Sequence, residues 1–282
     1  MRRKPPARLL RTTGMPDRTY RVVIAVLRAL LRLAGVRVEV CRPERLPIAG
    51  PVVLAANHSS FADFVFVGLV GTTRGRLIRF LAKEAVFRSR LSGPLMRGMH
   101  HIPVDRAQGA VAALRALRAL RAGEAVGVYP EATIGRAFVV KDSADFRRGA
   151  AYLALATGAP LVPVAHWGVH RLVTVGGRFT LRRGIAVLVE VGEPLVPAPG
   201  ETADELTARL HDQLSLMTDR LIDRYPQPPG ESGAWWWPAE RGGGAPGRAR
   251  ARELDAAALV EAEPGLRARR APKAPAGCPP GP

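Results

Sequence analysis

The chain alternates between short, mostly apolar runs and longer stretches in which apolar positions recur every three or four. The runs fall at 51–57 (PVVLAAN), 77–82 (LIRFLA), 101–104 (HIPV), 125–129 (AVGVY) and 161–165 (LVPVA). Mostly apolar runs of this length suit strands covered on both faces. Helical spacing lies between them, near 61–71, 84–98, 106–122 and 146–157. In 106–122 the spacing predicts Val111, Leu114, Leu117 and Leu120 inward and Arg115, Arg118 and Arg121 outward, with Gly123 as the stop. Residues 172–191 read as two strands meeting at Arg183-Gly184, and Thr202 with Glu205 as a capping box opening a last helix to about Tyr225. Strand and helix in alternation predict an α/β domain, a mostly parallel mixed sheet covered by helices.

The two ends read differently. Residues 1–16 form a basic, proline-containing arm. From Asp17 to Gly35 the pattern is helical, with Arg18, Arg21, Arg28 and Arg32 on one narrow stripe and Val22, Val23, Ile24, Val26, Leu27, Leu30, Leu31 and Leu33 over most of the rest. A basic stripe beside a broad apolar body suits a helix lying in a membrane interface. A core-packed helix with a solvated arginine edge is the alternative. After Pro226, Pro and Gly make up 19 of the 56 residues to the end, a share typical of low complexity. Residues 245–282 are therefore expected to be disordered. Trp235, Trp236 and Trp237 are the exception, since three consecutive indoles either dock on the domain or seek a bilayer interface.

Composition narrows the partners. The 282 residues carry a net charge of +18, with 38 arginines against four lysines. Residues 1–40 hold net +8, the densest basic region. Such a charge attracts anionic lipid, nucleic acid or a phosphorylated substrate. Aromatics are only 6% and do not interleave with basic residues on a strand, so a nucleic-acid partner is not expected. Two cysteines exclude a disulfide scaffold or a cysteine-rich zinc site, and fit a reducing compartment. No apolar run is long enough for a spanning helix, and no secretory signal pattern opens the chain.

Three segments carry candidate chemistry, each where a strand runs into a turn. In Asn57-His58-Ser59-Ser60-Phe61-Ala62-Asp63 the five-residue offset lets a carboxylate sit behind an imidazole, which orients a general base and stabilises its cation. His100 and Asp105 repeat the spacing without that strand-to-turn setting. Ser59 and Ser60 lack a nucleophile elbow and suit helix capping. Ile102-Pro103-Val104-Asp105-Arg106 sets an arginine at a helix start, an anion site or a surface ion pair. Val128-Tyr129-Pro130-Glu131-Ala132-Thr133 offers a carboxylate for a hydroxyl or a basic partner. Cys41, His166 and His170 read as structural, and Lys83 as a solvated lysine or a weak anion contact.

Taken in order, these segments resemble the glycerolipid acyltransferases that acylate 1-acylglycerol-3-phosphate. NHSSFAD resembles their N-H-x4-D block, HHIPVDR the second block, VYPEAT the third (F-P-E-G-T) and LVPVA the fourth, with Phe146-Arg147-Arg148-Gly149-Ala150 just before it. The likeness covers roughly residues 20–226. It implies a glycerolipid acyltransferase-like fold. His58 would be the general base and Asp63 its partner, with direct attack of the acceptor hydroxyl on an acyl thioester. Arg106 would bind phosphate, and Glu131 and Thr133 would line the acceptor site. Neither metal nor cofactor is implied; the donor is acyl-CoA or acyl-carrier-protein. Ala132 stands in place of the third-block glycine, Ile134 in place of an arginine whose charge Arg136 would supply, and His100 where the second block often has glycine. These departures bear on the acceptor headgroup.

The expected layout is a basic arm and interface helix (1–40), an acyltransferase domain (41–226) and a Trp-containing, largely disordered tail (227–282). The expected product is phosphatidic acid, made from a lysophospholipid acceptor on the cytoplasmic face of a membrane by a peripheral or monotopic enzyme bound to its anionic surface. A family member acting on another lysolipid, glycolipid or amino-lipid is the alternative. A non-catalytic basic protein binding lipid or nucleic acid is the second.

Overall fold

The computed structural model describes residues 17–105, 109–180 and 182–262, with side chains to 258. The 1–16 arm, Arg106 and the last twenty residues lie outside that range. Seven strands form one sheet: β1 (Arg37–Cys41), β2 (Val52–Ala56), β3 (Ile78–Lys83), β4 (Ile102–Val104), β5 (Ala125–Val128), β6 (Leu161–Trp167) and β7 (Ala186–Val191). Their order across the sheet is β1-β7-β6-β2-β5-β3-β4. All pairings are parallel except β6 with β7. The α/β expectation is met, and the mixed sheet arises at that one antiparallel junction.

The central strands are apolar on both faces because helices cover both. Every residue of β2 is buried. Val53 and Ala55 enter one core cluster, while Val52, Leu54 and Ala56 enter the other. On the second side lies α2 (Asp63–Thr73), contributing Phe66, Val67 and Val70. On the first lie α5 (Gly109–Arg121), α6 (Gly149–Thr157) and the long α7 (Ala203–Asp223). Thr202 and Glu205 form the expected capping box at the start of α7. A third cluster joins Tyr20 of α1 (Arg18–Leu33) to Phe87 of α3 (Glu84–Arg88), Met96 of α4 (Ser92–Gly98) and nearby Met99.

Several expectations change. The helix expected over 84–98 is two short helices, broken between Arg88 and Ser92. The face of α5 that packs is Ala112, Ala116 and Leu120; Val111 and Leu114 are exposed. Alanines four apart let this helix lie close, and the larger side chains turn outward. Of the two strands expected in 172–191, β7 alone forms among the described residues; the first is reduced there to a single bridge between Val173 and Phe179. Strand β1 was not expected from the sequence: R-V-E-V-C alternates as a strand does, but over only five residues directly after the helical pattern of α1.

The largest change concerns the tail. Residues 234–245 pack on the α7 side of the core, with Trp237 buried and Trp235 and Trp236 partly so. Arg171 lies 3.9 Å over the Trp236 ring and Arg178 4.6 Å over Trp235, so the indoles dock through cation–π contacts as well as apolar area. Beyond them, α8 spans Arg248–Ala262 where disorder was expected. Prolines and glycines flank this segment but are absent from it, and averaging over the tail hid an alanine-rich helix.

Candidate functional site

The carboxyl ends of β2 and β5 are neighbours in the sheet, and the turns that follow them meet. In parallel sheets this edge collects chemistry because side chains leaving adjacent strands converge there. Asn57 and His58 follow β2, whereas Tyr129 and Glu131 follow β5. The two turns are tied together twice. The His58 backbone N–H donates to Glu131 Oε1 at 2.9 Å, and the Gly135 N–H donates to the His58 carbonyl at 2.8 Å.

Asp63 opens α2 and is fully buried. Its Oδ2 accepts from the N–H groups of Ser59 (2.8 Å) and Ser60 (2.9 Å) and lies 2.8 Å from His58 Nδ1. Three donors, together with the positive end of α2, offset the cost of burying the carboxylate. A carboxylate only accepts hydrogen bonds, so Nδ1 carries the proton of neutral His58 and Nε2 keeps its lone pair. The imidazole is about one-fifth exposed, while Asp63 has no exposure. Beneath it lies Tyr129, stacked with ring centroids 4.4 Å apart and 22° between planes. Phe80 of β3 in turn stacks on Tyr129. This layer requires Gly127 in β5, where a Cβ would come within 2.5 Å of the Phe80 ring. The resulting geometry is that of a general base: one nitrogen fixed by a buried anion, the ring plane fixed by an aromatic face, the other nitrogen basic.

The serines take structural places. Ser60 Oγ donates to the Val173 carbonyl and accepts from the Ala62 N–H, and Ser59 is buried. His166, at the end of β6, stands behind the pair, its Nε2 2.7 Å from the Asn57 carbonyl and 3.5 Å from Asp63 Oδ1. Asn57 and the His166 backbone exchange two further hydrogen bonds, locking β2 and β6 at the turn. Burial holds the His166 pKa below the usual imidazole range. Sequence reasoning assigned His166 a structural role without seeing that it adjoins the pair. Tyr129 and Lys141 were missed as site residues, since no spacing connects either to His58.

The third segment is buried differently. Glu131 is 4% exposed and burial pushes its pKa up to about 8. Thr133 Oγ1 accepts from Lys141 Nζ at 2.5 Å. Ala132 adopts φ 58°, a left-handed conformation that glycine takes freely. His100 does the same at φ 56°. Both positions where this chain departs from a family glycine are thus positions where the backbone favours one. Arg136 does not reach out alone: its Nη1 is 2.5 Å from Asp255 Oδ1 on α8.

Along the edge strand β4 runs an open groove of about 530 Å³, lined by Glu84, Phe87, Arg88, Arg97, His100, His101, Pro103 and Arg115. Asp105 ends the described segment there, and Arg106 follows outside it. Among the described residues no cluster of three or more His, Cys, Asp or Glu is placed to hold a metal ion, and none of their helices is long and apolar enough to cross a membrane.

Residues 37–167, which hold β1 to β6 and both turns, match the model of the Acyltransferase family. The chain is an acyltransferase. The 1-acyl-sn-glycerol-3-phosphate acyltransferase of Bacillus subtilis is 29% identical to it over 206 residues, covering 73% of this chain and 94% of that one. The human 1-acyl-sn-glycerol-3-phosphate acyltransferase beta is 29% identical over 210 residues, covering 71% and 70%. The crystal structure of the 1-acyl-sn-glycerophosphate acyltransferase of Thermotoga maritima shares the fold, with a TM-score of 0.60 over 77% of this chain and 88% of that chain, at 22% identity. The acyltransferase's C-terminal segment, with the docked tryptophans and α8, lies beyond the family match.

Proposed function

We propose that this acyltransferase moves a fatty acyl group from a thioester, acyl-CoA or acyl-carrier-protein, to the free hydroxyl of 1-acylglycerol-3-phosphate, forming phosphatidic acid. The observation that carries the reading is the buried Asp63 carboxylate on His58 Nδ1, which leaves Nε2 as the base. His58 Nε2 takes the hydroxyl proton as the oxygen attacks the thioester carbonyl. The C–O bond forms, negative charge collects on the former carbonyl oxygen, and the imidazolium is held by Asp63. Collapse breaks the C–S bond, and the departing thiolate recovers the proton from His58. Backbone N–H groups at the strand ends are suited to the oxyanion. Glu131 and Thr133 line the acceptor side, and a largely protonated Glu131 is a donor as well as an acceptor toward a polar headgroup. Arg106 is assigned the phosphate from its place in the second block. The names of the bacterial and human relatives support this acceptor. The ion pair from Arg136 to Asp255 favours testing other headgroups too, since that guanidinium is already engaged.

We also assign α1 to an anionic membrane surface, at the cytoplasmic face. Tyr20, Val23, Ile24, Leu27 and Leu31 turn toward the domain, but Val22, Val26, Leu30 and Leu33 are 62%, 52%, 55% and 68% exposed. That leaves an apolar stripe beside the arginine stripe, the arrangement of an interfacial helix. Leu91 and Leu95 next to α1 are exposed as well. The enzyme is thus read as peripheral or monotopic.

One experiment tests both parts. Purified protein is given acyl-CoA or acyl-carrier-protein with lysophosphatidate, other lysophospholipids, a glycolipid or an amino-lipid in anionic or neutral vesicles, and free thiol is measured. Lysophosphatidate in anionic vesicles is expected to be the best acceptor. His58→Ala is expected to lose nearly all turnover, and Val22→Ser/Val26→Ser/Leu30→Ser to lose vesicle binding while retaining turnover of soluble short-chain acceptor. Full activity of His58→Ala overturns the assigned base, a better rival headgroup overturns the acceptor, and unchanged vesicle binding overturns the interface helix.

A further inference from the structure

Helix α8 meets the domain through one face, Arg248, Ala251, Arg252 and Asp255, spaced as one helical stripe. The contact is mostly charge. Arg248 donates to the Val140 carbonyl at 2.8 Å and to Asp142 at 3.1 Å; Arg252 reaches Asp142 at 2.9 Å and Asp145 at 2.8 Å. All of these partners belong to the segment that follows the third block. Asp255 is the buried charge of this face, 6% exposed, beside the buried Ala251. Its two oxygens take Arg136 at 2.5 Å and Lys141 at 2.8 Å. Lys141 Nζ also donates to Thr133 Oγ1 at 2.5 Å. One ammonium therefore connects a carboxylate of the C-terminal helix to the hydroxyl of the third block.

We propose that Asp255 is a positioning residue for the acceptor site: it seats Lys141 on Thr133 and sets an anion between Arg136 and Lys141, fixing the 131–136 turn in the shape that receives the acceptor. The proposal rests on the reading of Glu131 and Thr133 as acceptor-side residues. Without the carboxylate, two half-hidden cations would face each other in the turn with no anion between them, and the turn would open to hydrate them. Its rival is a blocking role, in which Asp255 occupies cations that the acceptor phosphate needs. The two predict opposite signs. A positioning residue lowers KM for the acceptor, whereas a blocking residue raises it.

The test measures steady-state kinetics of the full chain with soluble short-chain lysophosphatidate at saturating acyl-CoA. Asp255→Asn is expected to raise acceptor KM about tenfold, with kcat changed less than about twofold, as befits members of one hydrogen-bonded network that do not touch the reacting atoms. Lys141→Gln cuts the same connection from the other end and is expected to give the same rise. Asp255→Glu is expected to restore most of the affinity. Thr133→Ala is expected to raise KM, and adding Asp255→Asn to it to raise KM little further. A fall in KM for Asp255→Asn assigns α8 the blocking role and overturns the proposal. A lowered melting temperature with unchanged KM in both Asp255→Asn and Lys141→Gln also overturns it. If Thr133→Ala raises KM and these two do not, the Asp255 assignment alone fails. If Thr133→Ala leaves KM unchanged, the acceptor-site reading fails first.

Discussion

The turn after β2 and the turn after β5 arrive at the same corner of the sheet and are held there by different means. The His58–Asp63 pair is fastened largely from within its own turn, with Tyr129 under the ring and Glu131 on the His58 N–H as its outside contacts. Six residues supply the imidazole, the carboxylate and the two backbone N–H groups that fix the carboxylate, and α2 adds its positive end. Glu131–Arg136 is fastened from outside. Its carboxyl is buried, and that burial outweighs the nearby Lys141 charge and the backbone N–H groups of His58 and Lys141; Ala132 sits in a left-handed conformation, and its hydroxyl and guanidinium are held through Lys141 and Asp255, the latter 119 residues from Arg136. A self-contained turn tolerates change elsewhere in the chain, whereas an externally braced one is open to adjustment by whatever segment braces it. Chemistry common to a family suits the first arrangement, and headgroup recognition, which differs between members, suits the second.

The sharpest way to break this comparison is to remove charge from the self-contained turn without removing its shape. Asp63→Asn keeps an oxygen for the Ser59 and Ser60 N–H groups and for His58 Nδ1, but no longer stabilises the imidazolium. A loss in kcat of about 10²- to 10⁴-fold is expected, with the circular dichroism spectrum unchanged. Should kcat survive in a folded Asp63→Asn protein, the pair does not act as base and partner, and the contrast between the turns loses its chemical meaning.

How much of each turn the sequence discloses follows from the same difference. His58 and Asp63 are legible because both lie within one strand-to-helix turn, where spacing implies geometry. Most of the apolar strands are legible for a similar local reason: with helices on both faces their runs stay hydrophobic, and only the buried, ion-paired Arg79 interrupts β3. Strand β1 is not, since its alternation lasts only five residues and follows the helical pattern of α1 directly; the pairing with β7 is what makes it a strand. The partnership of Arg136 with Asp255 is not, because composition assigned residue 255 to a disordered tail and no pattern links it to the third block. Arg136 could be read from sequence as a spare phosphate-binding charge; the fold gives that charge an anion, shared with Lys141. His166 shows a middle case, legible as a buried strand residue but not as the neighbour of Asp63.

A second measurement sharpens the contrast through pH. Unfolded Glu131 ionises near its ordinary value of 4.5, while the folded protein holds its proton to about pH 8 because burial disfavours the anion. Between those values the native state binds more protons than the unfolded state, so this residue makes stability fall as pH rises. Glu131→Gln removes the titration and keeps the acceptor for the His58 N–H. Its chemical-denaturation stability is expected to decline less steeply than that of the wild type between pH 5 and pH 8, by about 1 kcal/mol per pH unit, near the limit for one proton. Buried His101 and His170, held down to about 4 and about 3 from the ordinary 6.5, make stability rise with pH up to that ordinary value, inside this window, but they are common to both proteins and cancel in the difference. Parallel curves for the two proteins would mean that Glu131 is ionised in place and that the turn has a compensating charge after all.

The smallest expected effect concerns the backbone. An alanine at φ 58° stores strain that a glycine does not, and Ala132 is exposed, so no packing is lost when its methyl group goes. Ala132→Gly is expected to raise stability by about 1 kcal/mol, the usual penalty for a Cβ in this region less the entropy that glycine adds to the unfolded chain. The informative quantity is what happens to acceptor KM at the same time. If external bracing sets the shape of the turn, relieving its strain leaves KM unchanged, because Lys141 on Thr133 still holds the turn. If the strained alanine itself holds Glu131 and Thr133 in register, the stabilised variant binds its acceptor less well. Thermal melting and acceptor KM of this one variant therefore separate bracing from strain as the origin of the turn's conformation.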